Sequence, residues 1–103
     1  MKKATVIWSA NALKDLDIVF EFHAEKSLKA AEKIISSLLA RTEQLETFPE
    51  SGKVEELISS SKTYRYLVEG DYKLIYSFSS GIVYVHTVFD CRQNPVKMKV
   101  NNP

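Results

Sequence analysis

Between Tyr64 and Asp90 the chain carries three runs rich in Tyr, Val, Ile and Phe, separated by only two short turn segments. The runs lie near residues 64–69, 72–79 and 82–90. Gly70-Asp71 joins the first two and Ser79-Ser80-Gly81 the last two. β-branched and aromatic residues suit a pleated, half-buried surface. Links this short allow only antiparallel neighbours, because a parallel return needs a crossover of about a dozen residues or more. The stretch is therefore predicted to be a three-stranded meander. It runs out into a polar string, Asp90-Cys91-Arg92-Gln93-Asn94-Pro95, so charged and amide groups are expected at the exit of the sheet.

A meander needs a cover for its apolar face, and the first half of the chain supplies one. Ala4-Thr5-Val6-Ile7-Trp8 reads as a strand, and Ser9 follows as a candidate helix N-cap. Leu13, Leu16, Phe20 and His23 then fall at helical spacing, with Lys14, Asp15, Asp17 and Glu21 mostly elsewhere around the helix. A second helix, capped by Ser27, carries Leu28, Ala31, Ile34, Ile35, Leu38, Thr42 and Leu45 over roughly five turns without Gly or Pro. It should stop at Phe48-Pro49, since proline disfavours helix at the preceding residue. Glu50 to Lys62 is a polar connector with Gly52 and Ser59-Ser60-Ser61, which also holds Glu55, Glu56, Leu57 and Ile58. The predicted class is α+β, in the order β-α-α-β-β-β, with two helices on one face of a mostly antiparallel sheet. The first strand must join that sheet, or its backbone groups would lack partners.

With 103 residues the chain fits one domain, and 45% hydrophobic against 26% charged residues fits a folded core. Its one cysteine, Cys91, cannot form an internal disulfide, which suits a reducing cytoplasm. No apolar run resembles a signal peptide or reaches the roughly 18 residues of a membrane span. The net charge of +1 is unevenly placed: residues 1–61 hold eight Lys/Arg against ten Asp/Glu, and residues 62–103 six against three. The C-terminal part is thus the better surface for an anionic partner, although scattered solvated charge reads the same way.

The residues themselves leave several roles open. Tyr64, Tyr66, Tyr72, Tyr76 and Tyr84 could stack nucleobases, but strands favour tyrosine and most of these rings are expected in the core. Arg65 and Lys73 flank the first hairpin turn and could gather a phosphate or an acidic partner, or splay into solvent unless an anion or a carboxylate such as Glu55 lies nearby. Arg92 could clamp an anion or pair locally with Asp90. His86 alternates with Val85 and is expected to face solvent, while His23 reads as a surface or packing residue of its helix. Neither histidine has ligands at metal spacing, so no metal, cofactor or catalytic triad is implied.

Four strings in order resemble the RelE/ParE superfamily of bacterial toxins from type II toxin–antitoxin (plasmid stabilisation) systems. They are Val6-Ile7-Trp8-Ser9 leading into Ala12-Leu13 and Asp15-Leu16, Leu45 to Gly52, Tyr64 to Val68 with Tyr72 to Tyr76, and Val88 to Pro95. The resemblance covers nearly the whole chain. RelE-like members cut mRNA on the ribosome, which takes a base, an acid and cations for the charged phosphorane. By position, that branch would use Lys73 and Arg92 as cations and Glu55 as base. Its terminal acid/base positions fall on Asp90-Cys91 or near Met98, leaving His86 as a replacement. ParE-like members instead bind DNA gyrase and trap it on cleaved DNA. A cationic, aromatic surface without an acid/base set resembles this branch better, so whether the chain is an enzyme stays open with the balance toward binding. The leading expectation is a gyrase-inhibiting toxin neutralised by a cognate antitoxin, with Arg65, Tyr66, Lys73, Asp90 and Arg92 as contact residues. The alternatives are a ribosome-dependent mRNA endonuclease using Glu55, Lys73, His86 and Arg92, and an inactive interaction module. A homodimer is left open, and residues 96–103 are expected to be a short helix or a flexible tail that a partner orders.

Overall fold

Two serines start two helices. Ser9 and Ser27 have extended backbones (φ −67°, ψ 161° and φ −160°, ψ 115°), and their hydroxyl oxygens accept from the N–H of Ala12 and Ala30 at 2.9 and 3.1 Å. Each contact satisfies a donor that the first helical turn leaves unpaired, worth about 1 kcal/mol. The computed structural model describes residues 2–58 and 61–93, so Asn94, Pro95, Met98 and the expected 96–103 tail lie outside the described residues. In chain order the elements are β1 (Thr5–Trp8), α1 (Ala10–Ala24), α2 (Leu28–Thr47), β2 (Lys53–Val54), β3 (Arg65–Glu69), β4 (Tyr72–Ser79) and β5 (Ile82–Asp90).

The strands form one sheet in the order β1-β5-β4-β3-β2. The predicted meander is its centre. Glu69 lies opposite Tyr72 and Ser79 opposite Ile82, so both hairpins have two-residue loops. In the second loop Ser80 and Gly81 both have positive φ (51° and 76°), as the type I′ turn that follows strand twist requires. The first strand does join the sheet, as the parallel neighbour of β5. Both helices cover one face: Ala12, Leu16, Val19, Leu38 and Leu45 pack on Leu67, Leu74, Tyr76, Val83, Val85 and Val88. Leu13, expected on this seam, is 51% exposed. The row that starts from the capped Ser9 is 12-16-19-23, which turns Leu13 outward.

The connector contains a strand that its polar composition concealed. Lys53 and Val54 pair with Tyr66 and Arg65, adding β2 at the sheet edge. Gly52 makes this approach possible. Its N–H donates to Tyr76 Oη at 2.9 Å, and a Cβ there would stand 2.6 Å from Tyr76 Oη and 2.7 Å from the Tyr66 carbonyl.

At the other edge β1 stops at Trp8 while β5 runs on to Asp90, and α1 takes over the pairing. Ser9 N–H donates to the Val85 carbonyl (2.9 Å), and Ser9 Oγ and Asn11 Nδ2 donate to the His86 carbonyl (2.9 and 3.3 Å). Asp15 Oδ2 then accepts from Thr87 Oγ1 at 2.7 Å and from Val88 N–H at 2.9 Å. Here the β4–β5 register slips: Ile75 lies opposite Thr87 but Tyr76 opposite Val85, leaving His86 as the extra residue of a bulge. Alternation already turns His86 away from the helices, opposite Val85, and the bulge then lets Val88 return to the core while Thr87 reaches Asp15 on α1.

Candidate functional site

Arg65 and Lys73 do not come together. Register places Arg65 opposite Tyr76 and Lys73 opposite Val68, and strand alternation sends them to opposite faces. Arg65 stays on the helix side at the β2 edge, donating to the carbonyls of Gly52 (3.0 Å) and Glu50 (3.4 Å) with the Glu50 carboxylate at 3.8 Å. Lys73 is on the far face, where its ammonium lies 2.7 Å from Glu55 Oε2 and 4.3 Å from the centre of the Tyr66 ring. Glu55 is 5% exposed, and its other oxygen accepts from the Leu57 N–H at 3.1 Å. The nearby carboxylate considered from sequence, Glu55, is present but holds Lys73 alone, and Arg65 has Glu50 instead.

His86 corrects a second expectation. It is fully buried rather than solvent-facing, between the rings of Tyr64 (centroids 5.1 Å apart) and Tyr84 (5.0 Å), with Nε2 2.8 Å from Ser77 Oγ. Alternation gives the face correctly, opposite Val85, but not its cover: the buried Tyr64, just after the connector, and Tyr84 close over that side. Tyr64, Tyr72 and Tyr76 are buried, as expected for most of the tyrosines, and Tyr66 and Tyr84 are half-buried.

At the exit of the sheet Arg92 grips Asp90. Its Nε and Nη2 donate to the two carboxylate oxygens at 2.9 and 2.7 Å, and its own backbone N–H donates to Oδ1 at 2.9 Å. Asp71 is 3.9 Å away, and the guanidinium lies 5.9 Å from the centre of the Phe22 ring. The hydrogen bonds from Arg92 hold the Asp90 carboxyl below its ordinary 3.8, and the bonds to Asp90 raise Arg92 in turn. Beside them Tyr72 Oη lies 2.8 Å from His23 Nε2, and burial pushes the Tyr72 phenol above 10.0. Cys91 is not activated by its neighbour: partial desolvation raises its thiol, with Lys73 acting the other way.

The His23–Tyr72 contact was missed because 49 residues separate the partners. Two rows taken together could have found it. His23 continues the 12-16-19 row of α1, and Tyr72 shares its face with Leu74 and Tyr76. On the outer side of α1, Ile18 and Phe22 stand one turn apart and are each 56% exposed. The Arg92 guanidinium lies beside Phe22, so apolar and cationic groups share this end of the surface. The residues considered for phosphodiester chemistry are spread over three places. Glu55 and Lys73 form an ion pair on the far face, His86 is enclosed farther along it, and Arg92 is on the helix side of the exit.

A search of curated proteins finds no significant match. Among solved structures, a chain titled as the chromosomal ParDE TA system from P. aeruginosa superposes with a TM-score of 0.71 at 12% identity, covering 85% of this chain and 96% of that one. At that identity the likeness concerns the fold. Residues 6–95 match the family described as the ParE toxin of type II toxin-antitoxin system, parDE. Since the match spans all seven elements but for the first residue of β1, the chain belongs to the ParE toxin family of type II toxin–antitoxin systems.

Proposed function

We propose that this chain is a toxin that acts by binding DNA gyrase and that a cognate antitoxin neutralises it. One observation carries the choice of binding over RNA cleavage: the two cations a cleavage site would use are each held by a carboxylate, on opposite faces of the sheet. Lys73 is paired with the buried Glu55, and Arg92 is gripped by Asp90. To converge on one phosphate, Lys73 would have to strand the Glu55 charge and Arg92 would have to give up a two-pronged contact. A protein-binding role needs neither change. Ile18, Phe22 and Arg92 offer the apolar-and-Arg composition of interface hot spots, and we assign protein contacts to that patch. An amphipathic antitoxin segment would meet it as a helix meets a groove.

The test runs two assays side by side on the purified chain. Gyrase supercoiling should fall and cleaved DNA should accumulate, while translated mRNA analysed by primer extension should stay intact. Substituting Phe22→Ala with Arg92→Ala should weaken the gyrase effect at least tenfold. Codon-specific mRNA cuts that disappear in Lys73→Met, with gyrase untouched, would overturn the proposal in favour of the endonuclease.

A further inference from the structure

The far face of the sheet holds a group that gyrase binding does not use. Ser77 and Tyr84 are opposite each other on β4 and β5, and His86, two residues past Tyr84, shares their face. His86 is walled by the Tyr64 and Tyr84 rings and lies 2.8 Å from Ser77 Oγ through Nε2. Ser77 is half-buried and opens into a cavity of about 580 Å³, whose other walls include Ile7, Lys62, Thr63, Ile82 and Tyr84. That volume is in the range that holds small organic ligands.

We propose that Ser77 is a nucleophile with His86 as its general base, and that the cavity accepts small uncharged activated esters. A serine hydroxyl is a weak nucleophile until a base within about 2.6–3.2 Å can take its proton. His86 meets that distance, and the two tyrosine rings limit its freedom to swing away. Ser77 is in the middle of an eight-residue strand that pairs with β5 along its whole length, so the partners share a rigid support. Ile7, Ile82 and the Tyr84 ring would take a short acyl or aryl group.

The step balances without a redox partner. With the ring proton on Nδ1, the Ser77 oxygen attacks the carbonyl carbon and its proton passes to His86 Nε2. The ester C–O bond then breaks, the leaving oxygen takes the proton from the imidazolium, and an acyl group remains on Ser77 with His86 neutral again. A phosphonofluoridate follows the same course, losing fluoride and leaving a phosphonylated serine.

The experiment uses the full chain and a fluorophosphonate probe, with peptide mapping by mass spectrometry. p-Nitrophenyl acetate in parallel should give a burst of about one equivalent of p-nitrophenolate. Labelling should map to Ser77, vanish in Ser77→Ala, and persist in Ser36→Ala, an exposed serine on α2. His86→Gln should slow labelling about 100-fold or more, as loss of a positioned base does. Should that variant unfold, the labelling rate of the wild-type chain against pH decides instead: a rise with deprotonation of one group supports the base, and a flat profile overturns it. A folded wild-type chain that takes no probe at Ser77, or takes it elsewhere at the same rate in Ser77→Ala, refutes the proposal.

Discussion

Replacing Asp15 by alanine tests whether α1 substitutes for a missing strand. Beyond Val85 the β5 backbone has no β1 partner, and one carboxylate oxygen of Asp15 serves both Val88 N–H (2.9 Å) and Thr87 Oγ1 (2.7 Å). Thr87 and Val88 are 5% and 7% exposed, so water cannot easily replace what is lost. Stranding a buried N–H costs about 1–3 kcal/mol, and losing the hydroxyl's charged acceptor adds roughly 1 kcal/mol. The expected loss is therefore about 3 kcal/mol, a large part of the 5–15 kcal/mol that typically holds a domain together. At this chain length it should lower Tm by roughly 12–15 °C. Asp15→Asn keeps an acceptor but loses the charge and should cost only about 1 kcal/mol. Urea unfolding followed by the fluorescence of Trp8, the sole tryptophan and half-buried on β1, would measure each variant. A double-mutant cycle with Thr87→Val should recover about 1 kcal/mol of coupling. If Asp15→Ala stays within about 0.5 kcal/mol of wild type, below any of these terms, the reasoning fails.

Gly52→Ala should cost about 2–3 kcal/mol, since its Cβ would stand 2.6 Å from Tyr76 Oη. Tyr76→Phe alone should cost about 1 kcal/mol and relieve that clash only in part, because the Tyr66 carbonyl remains 2.7 Å away; urea midpoints of the three variants would show it. On the far face, Lys73→Ala should destabilise more than Glu55→Ala. The first leaves a charge that is 4% exposed, whereas the second leaves an ammonium, 20% exposed, that can reach water. Equal losses in thermal melts would count against a buried pair. Asp90 should titrate below 3.8 by carbon-detected NMR, and Arg92→Ala should return it toward that value. The sign follows from the lowered folded value: the unfolded chain takes up the proton first, so this stabilisation is complete above the unfolded pKa near 3.8 and fades as pH falls through the folded one.

The elements were legible wherever local chemistry decides them. The serine caps, the Phe48-Pro49 stop and the two hairpin turns act over a few residues, and each is where the sequence places it. What the sequence hides depends on distant partners. β2 exists because Gly52 lets the connector touch Tyr76, 24 residues on, and no pattern within Glu50–Lys62 announces that contact. His86 seemed solvent-facing because alternation gives a face but not what covers it, and Tyr64, from the segment before β3, closes over it. The bulge beside it is held by Asp15, 72 residues before its Thr87 partner. The site was legible to the same degree. Asp90 and Arg92 pair over two residues, as weighed from sequence, while His23 meets Tyr72 only through the packing of α1 on β4.

Strand parity explains why the phosphate-handling residues were easy to group by sequence and hard to group in space. Lys73 lies between Tyr72 and Leu74, both turned toward the helices, so its own side chain must leave by the far face. Asp90 is opposite Tyr72 and shares its side, and it draws Arg92 there within two residues. Neither arrangement can be reversed by a rotamer change, because a one-residue shift would also turn Leu74 and Val88 out of the core. Bringing both cations to one phosphate would therefore mean carrying Arg92 around the end of the sheet, away from Asp90, Asp71 and the Phe22 ring. The same contacts hold Arg92, half-exposed, beside Phe22. A surface that is already ordered loses little side-chain freedom on binding. The geometry that works against a shared phosphate site thus leaves Arg92 ordered at the exit of the sheet, as the proposed protein contact there requires.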